Sequence, residues 1–358
     1  MARTLIIGGG LSGLALAEML HRQGRDFLVL EGRDRAGGRI ETFARDGAAF
    51  DMGPAWFWPG QPRMDALMDR LGLERFEQRH AGDQIFETAQ GQVQRGRGFA
   101  AMAGSWRVAG GLGVLIEALA ASIPAACLRC NAHVVALRHH GGTVTATLQN
   151  GESVTGTQAV LALPPRVAAG LSFDPPLLPA ALASMRAIPT WMAGQAKAIA
   201  VYDRPFWVDA GLSGDATSRR GPMVEIHDAS PATGGPYALF GFIGIAPEHR
   251  RDGNRLAQAV TQQFQRMFGT QAGTPLAVHI KDWAFDPFTA TAADQTPLHA
   301  HPTYALPEVL RGLWQDQLHF AGTEVAPQFG GYLEGALESA GNVAQHLSKD
   351  VKDQAHAD

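Results

Sequence analysis

The chain is poor in the features that would mark a disulfide-stapled, membrane-spanning or nucleic-acid-binding protein. It has only two cysteines, Cys127 and Cys130. They form a CxxC, but no second pair or nearby histidine cluster completes a zinc site, so no metal is expected. They read as two free thiols ahead of a strand rather than as a redox pair. No apolar run is long enough to span a bilayer, and the polar tail, residues 349–358, is no anchor. Positive charge is not in excess: a net charge of −4 and a pI near 6.3 give no basic field for nucleic acid. The N-terminus enters an apolar strand at once and leaves no secretory segment, so a cytoplasmic location is expected. Repeats and low-complexity tracts are absent. Lysine is scarce, at four residues, and one of them, Lys197, interrupts an apolar run. What remains is a globular composition, 46% hydrophobic over 358 residues, with room for one large or two ordinary domains.

Three motifs carry the chemistry. Gly8-Gly9-Gly10-Leu11-Ser12-Gly13 stands between an apolar strand (Leu5, Ile6, Ile7) and a helix from Leu14 to Arg22. Gly8 permits the tight turn, Gly10 lets the backbone approach a pyrophosphate, and Gly13 lets helix and strand pack closely. The helix N-terminus presents free N–H groups and partial positive charge to the phosphates. Glu31 ends a second apolar strand, where a carboxylate can accept hydrogen bonds from both ribose hydroxyls. Arg33-Asp34-Arg35 and Gly37-Gly38-Arg39 follow it. Near the other end, Ala321-Gly322-Thr323-Glu324 precedes a last helix running from about Tyr332 to Leu347. Together the three indicate FAD rather than NAD.

Periodicity predicts an α/β protein: a Rossmann-like FAD-binding domain with an interleaved mixed-sheet α+β substrate domain. The FAD-binding domain is assigned to residues 1–75, 108–165 and 286–348, and the substrate domain to 76–107 and 166–285. Residues 76–103 show little periodicity, and Pro164-Pro165 marks the crossing between the domains.

These motifs resemble the flavin-containing amine oxidase family over most of the chain, most closely at its two ends. Leu30-Glu31-Gly32-Arg33-Asp34-Arg35-Ala36-Gly37-Gly38-Arg39 is similar to the family's second signature. The resemblance implies that Arg39 contacts the FAD phosphates, that Arg33-Asp34-Arg35 lies on the adenosine side, and that Ile40 follows in the same site. It implies that Gly53-Pro54-Ala55 runs beside the flavin ring and that Val134 binds adenine through its backbone. Glu324 matches the carboxylate on the ribityl-phosphate side, with Gly331, Tyr332 and Leu333 at the start of the last helix. Lys197 resembles the lysine that holds a water at the reactive ring nitrogen; a strand-edge lysine snorkelling to solvent is its structural alternative. Tyr332 matches one wall of the family's aromatic cage. The family's flavin-bonding cysteine and second cage tyrosine fall at Ala292 and Ala293, so FAD is expected to be noncovalent and the cage half missing. The long helical block of the family shrinks here to residues 76–107, which leaves the pocket open, able to accept a larger substrate, or completed by another subunit or partner. Trp56, Trp191, Phe206 and Phe288 are candidates to line it, each with a core position as the alternative.

The activity implied is oxidation of a small-molecule amine to an imine, with molecular oxygen reoxidising the flavin to give hydrogen peroxide. Two rivals stay open. One is desaturation or dehydrogenation of an apolar substrate on the same scaffold. The other is an FAD-binding protein with little catalysis that serves a partner.

Overall fold

The computed structural model describes residues 3–98, 100–296, 298 and 300–355. Its first half-molecule is built on a five-stranded parallel sheet, in the order Leu318–Phe320, Gln158–Leu161, Thr4–Ile7, Phe27–Leu30, Leu128–Arg129. Strands inside such a sheet are buried on both faces, hence the apolar runs Leu5–Ile7, Phe27–Leu30 and Ala159–Leu161. On one face Ile6, Val29 and Val160 pack under the helices Leu11–Arg22, Gly113–Ala121 and Leu333–Ala355. On the other, Leu5, Ile7, Leu28 and Leu161 meet Leu137, Val144 and Ala146 of a four-stranded sheet. The last helix continues to Ala355 rather than stopping at Leu347, so the polar tail is helical for most of its length.

The second half is a seven-stranded mixed sheet, in the order Ala277–Asp282, Ala196–Tyr202, Tyr237–Ile243, Met223–Asp228, Leu212–Ser218, Asp83–Glu87, Val93–Gly96. Alternation along Ala196–Tyr202 divides its faces. Ala196, Ala198, Ala200 and Tyr202 pack on the helix Gly253–Phe268 through Val260 and Phe264. Ile199 and Val201, with Phe240, pack instead on Phe50 and Met52 of the first unit. Lys197 lies on this inward face.

Two features depart from the expectation. The aperiodic segment 76–107 supplies the hairpin Asp83–Glu87 and Val93–Gly96. The second strand of that hairpin is exposed throughout, so no alternation of apolar residues marks it. The crossing between units falls after Ala187, not at Pro164-Pro165. Residues Ser172–Asp174 pair with the strand Val134–His140, and Ala181 and Met185 of the helix Pro179–Ala187 complete the first unit's core.

Candidate active site

The three motifs meet at the carboxyl end of the parallel sheet. The helix Leu11–Arg22 begins after Gly10 with no side-chain cap and no acidic residue in its first turn, although Leu11, Ser12 and Gly13 are buried. The first N–H groups of a helix have no partner within it, so a buried, uncapped start is suited to an anion. Gly8 has φ 111°, and a Cβ there would stand 2.5 Å from Ala162 O; one on Gly13 would overlap Gly8 O. Glu31 is 3% exposed. Its Oε2 accepts from Gly9 N–H at 2.7 Å and its Oε1 from Arg33 N–H at 2.8 Å, which fixes the carboxylate while leaving lone pairs for hydroxyl donors. Gly37 N–H donates to Gly9 O at 2.8 Å, and Gly38 packs on Gly10. The C-terminal motif closes the ring. Ser12 Oγ donates to Ala321 O, and Arg39 forms a bidentate pair with the fully buried Glu324 at 2.5 and 3.2 Å. Gly322 lies against Glu324 Oε2. An uncapped helix start, an anchored buried carboxylate and an arginine–glutamate pair fit the pyrophosphate, ribose and ribityl ends of FAD.

Asn131 and Ala132 donate to Arg33 O and Glu31 O at 2.7 and 2.8 Å, which brings Val134 beside this end of the sheet. Phe288, expected to line the substrate pocket, lies beside Arg33 and Gly32. It lies under Arg33, 5.1 Å from the guanidinium, edge-on to His133, and so close to Gly32 that a Cβ there would sit 2.5 Å from its ring. Arg33 itself pairs with Asp286 at 2.6 Å. Ile40 sits in the core, its carbonyl accepting from Arg35 at 3.0 Å.

At the opposite end of the site, Lys197 is 3% exposed, and its Nζ donates to Gly53 O at 3.1 Å. The ammonium lies 4.0 Å from the centre of the Phe240 ring. Burial pulls its pKa from 10.5 down to about 7, against the attraction of Asp51 and with the help of Arg107. The lysine is therefore inside the molecule and not snorkelling to solvent. Gly53 has no room for a side chain, because a Cβ would overlap Arg39 O. The turn Gly53-Pro54-Ala55 thus ties Lys197 to the arginine of the second motif.

The aromatic ring opposite Tyr332 is His301, not the residue at 293. The two rings stack at 4.8 Å with an interplanar angle of 10°. Ala293 lies instead in a 3-10 turn, Ala292–Asp294, whose Asp294 is buried against Arg166 at 2.6 Å. Trp58 is edge-on to Tyr332 at 6.2 Å, and Trp191 lies 5.0 Å from His301. Tyr304 Oη accepts from Trp191 N–H at 3.1 Å. Gly331, at φ 85°, passes so near His301 that a Cβ would come 2.6 Å from Nε2. Leu333, nearly buried, starts the last helix. Phe206 is placed elsewhere: it packs with Tyr202 and Trp207 on the outer face of the seven-stranded sheet, away from Lys197. Trp56 is on the inner face, 5.2 Å from Phe240 and 6.3 Å from Phe242.

Sequence reading missed His301 and a buried group beside Trp56. His227 Nδ1 is 2.8 Å from Asp215 Oδ1, and its Nε2 is 2.7 Å from Glu225 Oε1. The signal was present as polar residues at alternate positions of Met223-Val224-Glu225-Ile226-His227, an otherwise apolar strand. Away from this site, Asp316, His319 and His346 bring ligand-type atoms within 4.8 Å of one another, with His346 already paired to Asp316.

A family model described as flavin containing amine oxidoreductase matches residues 11–99 and 90–348. The chain belongs to this family. It is an oxidoreductase and a flavoprotein of the amine oxidase type, and its cofactor is FAD. A putative flavin-containing monoamine oxidase of Mycobacterium tuberculosis is 27% identical over 456 aligned positions, covering 96% of each chain. Putrescine oxidase of Kocuria rosea is 22% identical over 93% of this chain and 92% of its own. Among solved structures, a putrescine oxidase bound to putrescine aligns with a TM-score of 0.80 at 18% identity, over 97% and 99% of the chains. Cyclohexylamine oxidase from Brevibacterium oxydans aligns at 0.80 with 21% identity, over 98% and 99%. The 456 aligned positions of the mycobacterial relative exceed the 358 residues here, so part of that protein has no counterpart in this chain. Among the described residues no helix is long and apolar enough to cross a membrane.

Proposed function

We propose that the protein oxidises an amine to the imine and returns the electrons to molecular oxygen, forming hydrogen peroxide; water then hydrolyses the imine. FAD supplies the acceptor for the hydride that leaves the carbon–nitrogen bond. The chain's part is binding, orientation and electrostatics. The start of the helix Leu11–Arg22 holds the pyrophosphate, Glu31 the adenosine ribose, and Arg39 with Glu324 the ribityl-phosphate side. Tyr332, exposed but with one ring face stacked on His301, offers its other face to the incoming amine, and a ring face attracts a cation. No cysteine lies near Tyr332, in keeping with FAD held without a covalent bond.

The observation that carries the oxidase reading is Lys197. A buried lysine at about pKa 7, hydrogen-bonded to the Gly53 turn, can hold a water or a proton where charge develops during reoxidation. Stopped-flow separation of the half-reactions tests this. Lys197→Met is expected to keep FAD and near-normal anaerobic reduction by amine. Its reoxidation by oxygen should slow about 10²–10³-fold, the usual effect of losing one preorganised electrostatic donor. Wild-type reoxidation in the variant would make the lysine structural and remove the main support for an oxidase.

A further inference from the structure

On the edge strand of the parallel sheet, Leu318 and Phe320 turn into the core shared with the four-stranded sheet, so His319 points to the opposite face. That face is covered by the last helix, whose Val343, Ala344 and Leu347 belong to the other core. His346 stands on the same helix at the rim of this contact, its ring edge-on to His319 at 5.3 Å. Asp316 reaches the same place from the turn before the strand. Trp314, Gln315 and Asp316 have φ of 53°, 58° and 66°, a left-handed run that side chains adopt only at a steric cost. Trp314 anchors the turn by stacking on His139 at 5.6 Å.

The three side chains differ in exposure as a cation site requires. His319 is 8% exposed and forms the floor, while the side chains of His346 and Asp316 are 46% and 43% exposed and leave a way in from solvent. One ligand-type atom of each lies within 4.8 Å of the other two, a single such group among the described residues. Four-coordinate zinc holds nitrogen and oxygen ligands at about 2.0–2.1 Å, which sets them about 3.3 Å apart. His346 Nε2 and Asp316 Oδ2 are joined at 2.5 Å by a proton that a cation would displace, and neither side chain is buried, so both have room to part by less than about 1 Å. Two imidazoles and one carboxylate suit zinc and its neighbours rather than calcium or magnesium, which take oxygen ligands. An ordinary surface ion pair accounts for His346 and Asp316, but not for the left-handed turn or the imidazole beneath them. No metal was expected from sequence, because only folding brings turn, strand and helix to this point.

We propose that Asp316, His319 and His346 bind a divalent transition-metal ion of the zinc class, with water completing its coordination, and that the ion clips the last helix to the edge strand. The site stands apart from amine oxidation, about 20 Å along the helix from Leu333 at 1.5 Å per residue. Strand and helix flank the segment 321–332, so the clip braces both supports of the C-terminal motif.

The test uses FAD-loaded, tag-free protein dialysed against EDTA. Zn²⁺, titrated by calorimetry and in competition with a chromophoric chelator, should bind as a single ion per chain and raise the melting temperature. Mg²⁺ and Ca²⁺ at equal concentration should not displace it. His346→Ala and Asp316→Asn, neither at a buried position, should keep their FAD and each weaken Zn²⁺ at least tenfold, a loss seen even when only an outer partner of a metal ligand is removed. His346→Cys should retain the metal, and its Co²⁺ form should gain a thiolate-to-metal charge-transfer band that wild-type protein lacks. That band reports a ligand directly, which the mere loss of an ion pair cannot do. Absence of Zn²⁺ binding by wild-type protein overturns the inference, as does binding of equal affinity in both variants. Asp316 and His346 would then be an ion pair and nothing more. None of these outcomes depends on whether the protein oxidises amines.

Discussion

Lys197 shows how far a single residue can be argued from sequence. One lysine in an apolar strand must be either buried at a cost or pulled to an edge, and the structure buries it against Gly53 and Phe240. The sign of the pH effect follows. With a pKa of about 7 folded and 10.5 unfolded, the unfolded chain binds more protons between those values, so stability rises with pH across that window. Below pH 7 the whole penalty is present; near pH 10.5 it is gone. At ~1.4 kcal/mol per pH unit between the two values, it outweighs the roughly 1 kcal/mol contributions of one hydrogen bond and one cation–ring contact. Lys197→Met is therefore expected to stabilise the protein at fixed FAD, and by on the order of 2–3 kcal/mol more at pH 7 than at pH 9.5. Urea unfolding at the two pH values measures this. An equal gain at both would mean that the lysine is not depressed. His227 was not legible in the same way, because its meaning depends on Asp215, which only strand pairing brings to it.

At the scale of elements, legibility follows how local the determining contacts are. The strand–helix–strand unit around Gly8–Gly13 was readable because turn, helix start and apolar strands are all set within about thirty residues, as βαβ units are. The hairpin Asp83–Glu87 and Val93–Gly96 was not, since its outer strand buries nothing. The ring facing Tyr332 was not foreseen because residues 286–312 have no period from which to count, and the backbone path alone carries His301 to it. One tight element-level constraint is the packing of the helix Leu11–Arg22 on the first turn. A methyl on Gly13 would overlap Gly8 O, which is backbone and cannot step aside. Gly13→Ala should push the helix start away from the pyrophosphate position. The expected result is FAD affinity weakened at least tenfold, about 1.4 kcal/mol, with far-ultraviolet circular dichroism little changed. Flavin-fluorescence titration reads the affinity, and a wild-type value would show that the helix start is not the phosphate site.

For the whole molecule, the two ends of the chain depend on each other. Ser12 bonds to Ala321 O, Arg39 to Glu324, and Glu334 accepts from Met64 N–H at 2.8 Å and from Arg63 at 3.0 Å. Each joins a segment before residue 70 to one after residue 320, around the place proposed for FAD. Among the described residues the buried Glu324 has only Arg39 as an ion-pair partner, and cofactor groups at this position would add donors to a pair that is otherwise costly to bury. FAD should then act as a further strut between the chain ends while forming no covalent bond. Acid or heat is expected to release intact FAD into the supernatant, and the apoprotein should melt several degrees lower. Excess FAD at 100 times its dissociation constant should restore about 2.7 kcal/mol. Differential scanning fluorimetry across an FAD titration measures this, and supernatant absorbance measures release. Flavin that stays with the denatured chain would contradict noncovalent binding. A melting temperature indifferent to FAD would mean that the two chain ends are held by these direct contacts and the helix packing alone.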